Sequence, residues 1–246
     1  MASGRREGNE EFLYITTNTG KDKPGRIIKT RLNGEKIWEI STPEGHQGAW
    51  NPTECTAIGG DQLIITNGYG SGYMYLVDSS GKVLKTLFKP GKGPGELNGA
   101  HGVMFDSETN LLWVHDRGNR RIQWTTPDGE FKGELNDSAG FGTPLRMPCG
   151  STSYGRFVLM PDLEGRLTLF AHGAGELPGT YGVVGLWGDC GVRQANFKAY
   201  RGNAQDKTVH AGVYGTPHYA KFAPNGDIIV AEWHPTGRVT RLKLVS

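Results

Sequence analysis

Cysteine is scarce in this chain: Cys55, Cys149 and Cys190 are the only three in 246 residues. The number is odd and no two stand in a Cys-x-x-Cys spacing. That excludes a disulfide framework as the basis of the fold and makes reduced thiols the expectation. Net charge is nearly missing too. The 27 Lys and Arg face 25 Asp and Glu, leaving +2. So small an excess argues against a nucleic-acid or anionic-membrane partner. No apolar run approaches the roughly 18 residues of a membrane span. The opening MASGRREGNEEF has no apolar signal region. The expectation is a soluble chain, cytoplasmic as written, and exported only if a further N-terminal segment carries the signal. Sustained 3.6-residue periodicity is absent as well, and the stretch near 181–213 is the one place for a short helix. GKGPGEL lacks both the spacing and the following helix of a phosphate loop, and neither GxSxG nor HExxH occurs.

Glycine, by contrast, is plentiful: 38 residues, about twice the usual share of roughly 7%. The glycines are scattered rather than periodic at three, so they mark tight turns and not collagen. Many fall at the same point of a repeated unit. The position just before an alternating run is taken by Gly25, Gly72, Arg120, Gly165 and Gly237, at steps of 47, 48, 45 and 72 residues. The last step is one repeat plus an insertion, placed at 181–213. Alternation such as RIIKTRL and RVTRLKL marks strands with one buried face, and LNGEK, SSGKV and PDGEF mark hairpin turns. A period in the forties with three or four strands per unit is the signature of a β-propeller. The reading is therefore an all-β single domain, 1–246, with blades near 10–42, 50–90, 98–136, 144–180 and 214–246. Innermost strands are assigned to TECTAI, AHGVMF, MPCGST and PHYAKF. The first blade is expected to start at its second strand and the last to end after its third. The ring is then five-bladed with unusual closure, or a six-bladed type shortened at the N-terminus. Its open blade edges would invite homo-oligomerisation.

The stretches TNGYGSGYMYLVDSSGKVLKTL, GKGPGELNGAHGVMFD, VHDRGNRRIQ and TPHYAKFAPNGDIIVAEW resemble NHL-type repeats. Within that class they are similar to the peptidyl-α-hydroxyglycine α-amidating lyase family and its bacterial relatives, from about residue 10 to the end. The resemblance implies a zinc ion held by histidines on innermost strands, with His101 and His218 matching two of the ligands. Tyr69, in NGYG, matches the catalytic tyrosine, and Arg117, in DRGN, an arginine that contacts substrate. The family's first zinc histidine and a further arginine have no counterpart here. Tyr219 stands where an aspartate often serves calcium, so the expected cofactor is zinc or another divalent transition metal rather than calcium.

Read from the residues alone, His101 and His218 each head an innermost strand, where repeat symmetry gives separate blades access to one axial point. Zinc asks for three protein ligands and an open position. Glu54 and Cys149 occupy equivalent segments and His46 the preceding loop, so these three, or a water, are the candidates for third ligand. His115, His172, His210 and His234 fall in second strands, turns or the insertion and are not expected to bind metal. Asp116, Asp162 and Glu232 repeat one acidic position, expected to secure loops by accepting backbone N–H bonds. For Tyr69 the alternatives are a proton-transferring phenol and a packed aromatic ring. For Arg117 they are a carboxylate clamp and an ion pair with Asp116. The functional expectation is a metal-dependent lyase or hydrolase of a small molecule. A hydrolase would act on esters, lactones or phosphotriesters. The alternative is a non-catalytic NHL scaffold that binds protein.

Overall fold

The computed structural model describes residues 2–7, 9–18, 24–136, 145–188, 214–234 and 237–245. The chain divides into two compact units, Met1–Glu134 and Leu135–Ser246.

The first unit holds three antiparallel sheets. Blade 1 is β1 (Ala2–Glu7), β2 (Glu10–Thr17), β3 (Arg26–Arg31) and β4 (Lys36–Ile40). Blade 2 is β5 (Glu54–Gly59), β6 (Gln62–Thr66), β7 (Met74–Asp78) and β8 (Val83–Pro90), with the two-residue β9 (Glu96–Leu97) added in parallel. Blade 3 is β10 (Gly102–Asp106), β11 (Leu111–Asp116), β12 (Arg121–Thr125) and β13 (Phe131–Leu135). The second unit holds blade 4, with β14 (Thr152–Tyr154), β15 (Phe157–Asp162), β16 (Arg166–Leu177) and β17 (Tyr181–Trp187). Its other sheet is blade 5, with β18 (Pro217–Phe222), β19 (Ile228–Glu232) and β20 (Arg238–Leu242).

Each sheet is a meander whose strands pair with their sequence neighbours, so short hairpin turns suffice as connections. The residue heading each third strand matches the repeat position. Gly72, Arg120, Gly165 and Gly237 all have positive φ there, a conformation that only glycine adopts without strain. Gly25 is needed for a different reason: a Cβ would lie 2.5 Å from both the Pro52 ring and the Thr17 carbonyl.

Side chains between blades make the core. Ile27 of β3 packs in one cluster with Cys55, Leu63 and Ile65 of blade 2. Met74 joins Leu97 of β9 and Val103, Leu112 and Val114 of blade 3. In the second unit Leu167 of β16 joins Ala220, Ile228 and Val230 of blade 5. At about 25 cal/mol per Å² of apolar surface, these seams are the main stabilising term.

Three boundaries differ from those read in the sequence. Blade 1 has a strand, β1, before the expected second strand, pairing Ala2–Glu7 with Glu10–Ile15. ASGRRE carries no apolar alternation, so backbone pairing rather than pattern marks it. Tyr181–Trp187, assigned to the insertion, is the outermost strand of blade 4. Cys149 lies ahead of the short β14 and not within it, next to an isolated bridge between Pro148 and Asp162. Blade 5 has three strands among the described residues, as expected. No α-helix occurs among the described residues, and no helix there is long and apolar enough to cross a membrane. The rest of the stretch read as the insertion, 189–213, lies outside the described residues, His210 and Cys190 included.

Candidate functional site

The last residue of the second strand, or the one after it, acts in four blades as an anchor for the chain entering the innermost strand. In blade 2 the Asn67 side-chain oxygen accepts the Asn51 N–H at 2.7 Å. In blade 3 the Asp116 carboxylate accepts the Asn98 N–H at 2.7 Å. In blade 4 Asp162 accepts Arg146 and Met147 N–H at 2.8 and 3.0 Å. In blade 5 Glu232 accepts Gly215 and Thr216 N–H at 2.8 and 3.2 Å. Three residues beyond the first anchored amide of each blade stand Glu54, His101, Cys149 and His218. The acids Asp116, Asp162 and Glu232 therefore have the loop-securing role expected of them. Asn67 is a fourth member that a search for acids passes over.

The anchor of blade 3 is the most elaborate. Asp116 also accepts from Asn119 Nδ2 at 2.8 Å, Arg121 Nε at 2.8 Å and Gln123 Nε2 at 3.2 Å. Arg121 reaches on to Glu134 and to the Gly93 and Glu96 carbonyls, each at 2.8 Å. Burial pushes the Asp116 carboxyl up from its ordinary value, while the Asn98, Asn119 and Arg121 donors pull it down. The ion pair imagined between Asp116 and Arg117 is not made. Arg121 lies directly opposite Asp116 in the β11–β12 register, whereas Arg117 opens a 3-10 turn at Arg117–Asn119 and leaves the strand.

Arg117 instead donates from Nη2 to the Tyr69 hydroxyl at 2.8 Å, with its guanidinium carbon 5.5 Å from the ring centre. The Tyr69 ring stands edge-on to the His101 imidazole, centroids 5.8 Å apart. His101 is buried and Tyr69 is exposed, so the three form a row from interior to solvent in the first unit. The loops are built for this placement. Tyr69 lies between two glycines with no room for a side chain: a Cβ at Gly68 would fall 1.8 Å from the Ala100 carbonyl, and one at Gly70 2.4 Å from the Ala49 carbonyl. Gly118, after Arg117, has the same constraint against the Asn98 carbonyl at 2.3 Å.

Glu54 has another use. Its buried carboxylate accepts the Val103 N–H at 3.0 Å and so latches blade 2 to the innermost strand of blade 3. His46 is tied into its loop, Nδ1 2.9 Å from the Pro43 carbonyl and its ring edge-on to Trp50. His115 is fully buried, and desolvation pushes its imidazole down to about 4. His172 lies against Tyr181 with centroids 5.6 Å apart.

In the second unit Cys149 is fully buried and its thiol donates to the Met147 carbonyl at 3.4 Å. His218 is partly exposed, its ring edge-on to Trp233 at 6.0 Å. Tyr219, the next residue, lies under the Lys221 ammonium at 5.3 Å. Cys55, the remaining described cysteine, sits in the seam between blades 1 and 2 and accepts the Thr16 hydroxyl at 3.3 Å. Burial there pushes its thiol up to about 12, which keeps it protonated and unreactive.

No protein-family model matches the chain. It is 29% identical over 143 residues to human NHL repeat-containing protein 3, an alignment covering 52% of this chain and 39% of that protein. The mouse counterpart is 28% identical over 139 residues, covering 50% and 38%. The chain thus spans well under two thirds of the relatives it matches. Among solved structures it is similar to a protein of unknown function from Bacteroides caccae (TM-score 0.55, 14% identity, 96% of this chain and 70% of that one). A putative 6-phosphogluconolactonase from Bacteroides uniformis is also similar (TM-score 0.52, 14% identity, 94% and 67%). So is the WD40 β-propeller domain of Doa1 (TM-score 0.51, 13% identity, 96% and 66%). At such identities the structural likeness speaks for the fold and the sequence likeness for the repeat. The chain is a β-propeller whose sequence is similar to NHL repeat-containing proteins over about half its length.

Proposed function

We propose that this chain is a metal-dependent enzyme acting on a small molecule that carries a carboxylate, with His101, Cys149 and His218 holding one zinc or related transition-metal ion. The observation that supports it most is the shared position of the three. Each stands three residues beyond an amide fixed by a side chain at the end of the second strand. A repeated backbone that presents His, Cys and His at one register position is a means of bringing distant ligands to a common point. In the proposed site each would give one donor atom to the ion. Two imidazoles and a thiolate form a set that zinc favours, and three protein ligands leave a position for substrate. Of the three candidates for third ligand, Cys149 suits best, because its thiolate is the soft donor that zinc favours. A bound metal of this kind supplies Lewis acidity.

The remaining chemistry belongs to Tyr69 and Arg117. The Tyr69 oxygen accepts from Arg117 and keeps its own proton for transfer. Arg117 spends one donor on Tyr69 and keeps further N–H groups for a substrate carboxylate. In the lyase version, closest to the amidating-lyase resemblance, the carbinolamide C–N bond breaks as Tyr69 gives its proton to the leaving amide nitrogen and takes up the hydroxyl proton, the hydroxyl carbon becoming an aldehyde, while Arg117 holds the carboxylate. A hydrolase of esters, lactones or phosphotriesters is the second version, favoured by the structural likeness to the putative 6-phosphogluconolactonase.

The test is metal analysis of the purified chain, followed by turnover of an α-hydroxyglycine-terminated peptide, a lactone and an aryl ester. A near-stoichiometric transition metal, lost with activity in a His101→Ala, His218→Ala chain that keeps its β-sheet circular dichroism, is the expected result. A metal-free parent that turns over none of the three sinks the enzyme reading and leaves a protein-binding scaffold.

A further inference from the structure

The second unit holds a cavity that the metal reading does not use. Its volume is about 580 Å³, within the range of small-molecule sites. It runs between blades 4 and 5. Leu169, Phe222 and Leu242, packed on the core of these two blades, form its floor. On β18 it is Phe222 that reaches the cavity, four residues and roughly 13 Å along the strand from His218.

Local rules set the walls. Tyr154 and Phe157 stand opposite each other in the β14–β15 hairpin. Tyr154 stacks on Phe222, centroids 5.4 Å apart, and its hydroxyl donates to the Pro224 carbonyl at 3.0 Å. The far wall is Trp187. Gly185, two residues earlier, carries no side chain, and a Cβ there would lie 3.0 Å from the Trp187 ring. The indole therefore folds back along β17. Tyr154, Phe157 and Trp187 all remain exposed. Exposed aromatic surface gathered around one cavity marks a ligand site rather than a packing seam.

The rim has one sign of charge. The charged residues of the lining are Arg241 and Lys243, both cations. Buried Asp227 holds this rim in place. Its carboxylate accepts Arg241 Nε at 2.7 Å, the Leu244 N–H at 2.9 Å and Asn225 Nδ2 at 3.1 Å. Arg241 spends Nε and Nη2 on Asp227 and keeps Nη1. Lys243 has no ion pair among the described residues. An apolar chamber with cations at its mouth selects a molecule that is apolar at one end and anionic at the other. We propose that this cavity binds a small molecule with an apolar body and one anionic head, a medium-chain fatty acid or an aryl carboxylate. The body lies against Tyr154, Phe157 and Trp187, and the head meets Lys243 and Arg241.

Titration with the fluorescent anion 1-anilinonaphthalene-8-sulfonate tests this without metal or turnover, so the proposal stands or falls apart from the enzyme reading. One probe should bind per chain, saturably, and decanoate should displace it. Decyltrimethylammonium, with the same chain and the opposite charge, should displace it about tenfold more weakly. Lys243→Glu should weaken decanoate roughly fivefold and leave the cation no weaker. Phe157→Asp should weaken the probe and decanoate alike, and Phe157→Ser serves as the milder change if the aspartate variant loses its β-sheet circular dichroism. No saturable binding, equal displacement by anion and cation, or decanoate binding untouched by Lys243→Glu overturns the proposal. Uptake only by phosphatidylglycerol vesicles, with decanoate inert, overturns it too.

Discussion

Blade 2 and blade 3 enter their innermost strands in the same way and put opposite chemistry at the same point. Each fixes an amide with the side chain ending its second strand, Asn67 or Asp116, and three residues later presents a buried polar group. In blade 2 that group is Glu54, which bonds the next blade's backbone. In blade 3 it is His101, whose ring turns to Tyr69 and, through it, to Arg117. One backbone position thus carries a structural latch in blade 2 and, under the proposed function, a metal ligand in blade 3.

That contrast can be broken from either side. The largest expected effect is on metal. His101→Ala should reduce bound metal from near one equivalent to below about a tenth, since removing one of three ligands costs far more than the 10-fold to 100-fold loss typical of outer partners. Glu54→Gln should leave metal content unchanged, and inductively coupled plasma analysis of both proteins reads the difference directly. Next comes the anchor itself. Asp116→Ala removes one partner of a buried pair, leaving Arg121 to Glu134 and two carbonyls, and breaking such pairs costs about 3–5 kcal/mol. Asn67→Ala removes a neutral anchor and should cost about 1–3 kcal/mol. Urea denaturation of the two variants measures the gap.

A third effect is pH dependence in blade 3. His115 is held neutral, its value lowered by burial to about 4, against about 6.5 in an unfolded chain. The unfolded chain binds the proton first. The stabilising contribution is complete above about pH 6.5 and is lost as pH falls toward 4, amounting to roughly 3 kcal/mol. Asp116 works in the opposite sense because its carboxyl is raised by burial. The difference between the parent and a His115→Gln chain, both with metal chelated, therefore isolates the histidine. Smallest is Arg117→Lys. A lysine cannot offer the planar fork, so the expected result is a roughly tenfold rise in KM for a carboxylate substrate with kcat little changed. Steady-state kinetics on acid and amide forms of the same substrate check it.

How much of this was legible in the sequence follows from what each feature rests on. Hairpin turns, the heads of third strands and the strand PHYAKF were readable, because local rules fix them: glycine where φ is positive, alternation where one face is buried. The repeated acids were readable because they recur with the repeat. Three features were not. β1 is held by backbone pairing and by the bonds of Glu7 to Tyr14 and Lys29, and its residues have no apolar pattern to betray it. Asn67 does the work of Asp116 without being an acid. The true partner of Asp116 is the cross-strand Arg121 rather than the adjacent Arg117, because register and not sequence adjacency decides which side chains meet. The same reasoning applies to Cys149 against Cys55. Both are buried cysteines in apolar sequence, and only their places separate them, one at the head of an innermost strand and one inside the seam between blades 1 and 2.

Under the proposed function His101, Cys149 and His218 share a single ion. X-ray absorption at the metal edge of the purified protein tests it most directly. The predicted spectrum has two imidazole nitrogens and one sulfur about 2.3 Å from the metal, with the sulfur contribution gone in Cys149→Ser. A protein that carries no metal, or one whose spectrum shows only nitrogen and oxygen and is unchanged by that substitution, contradicts the claim.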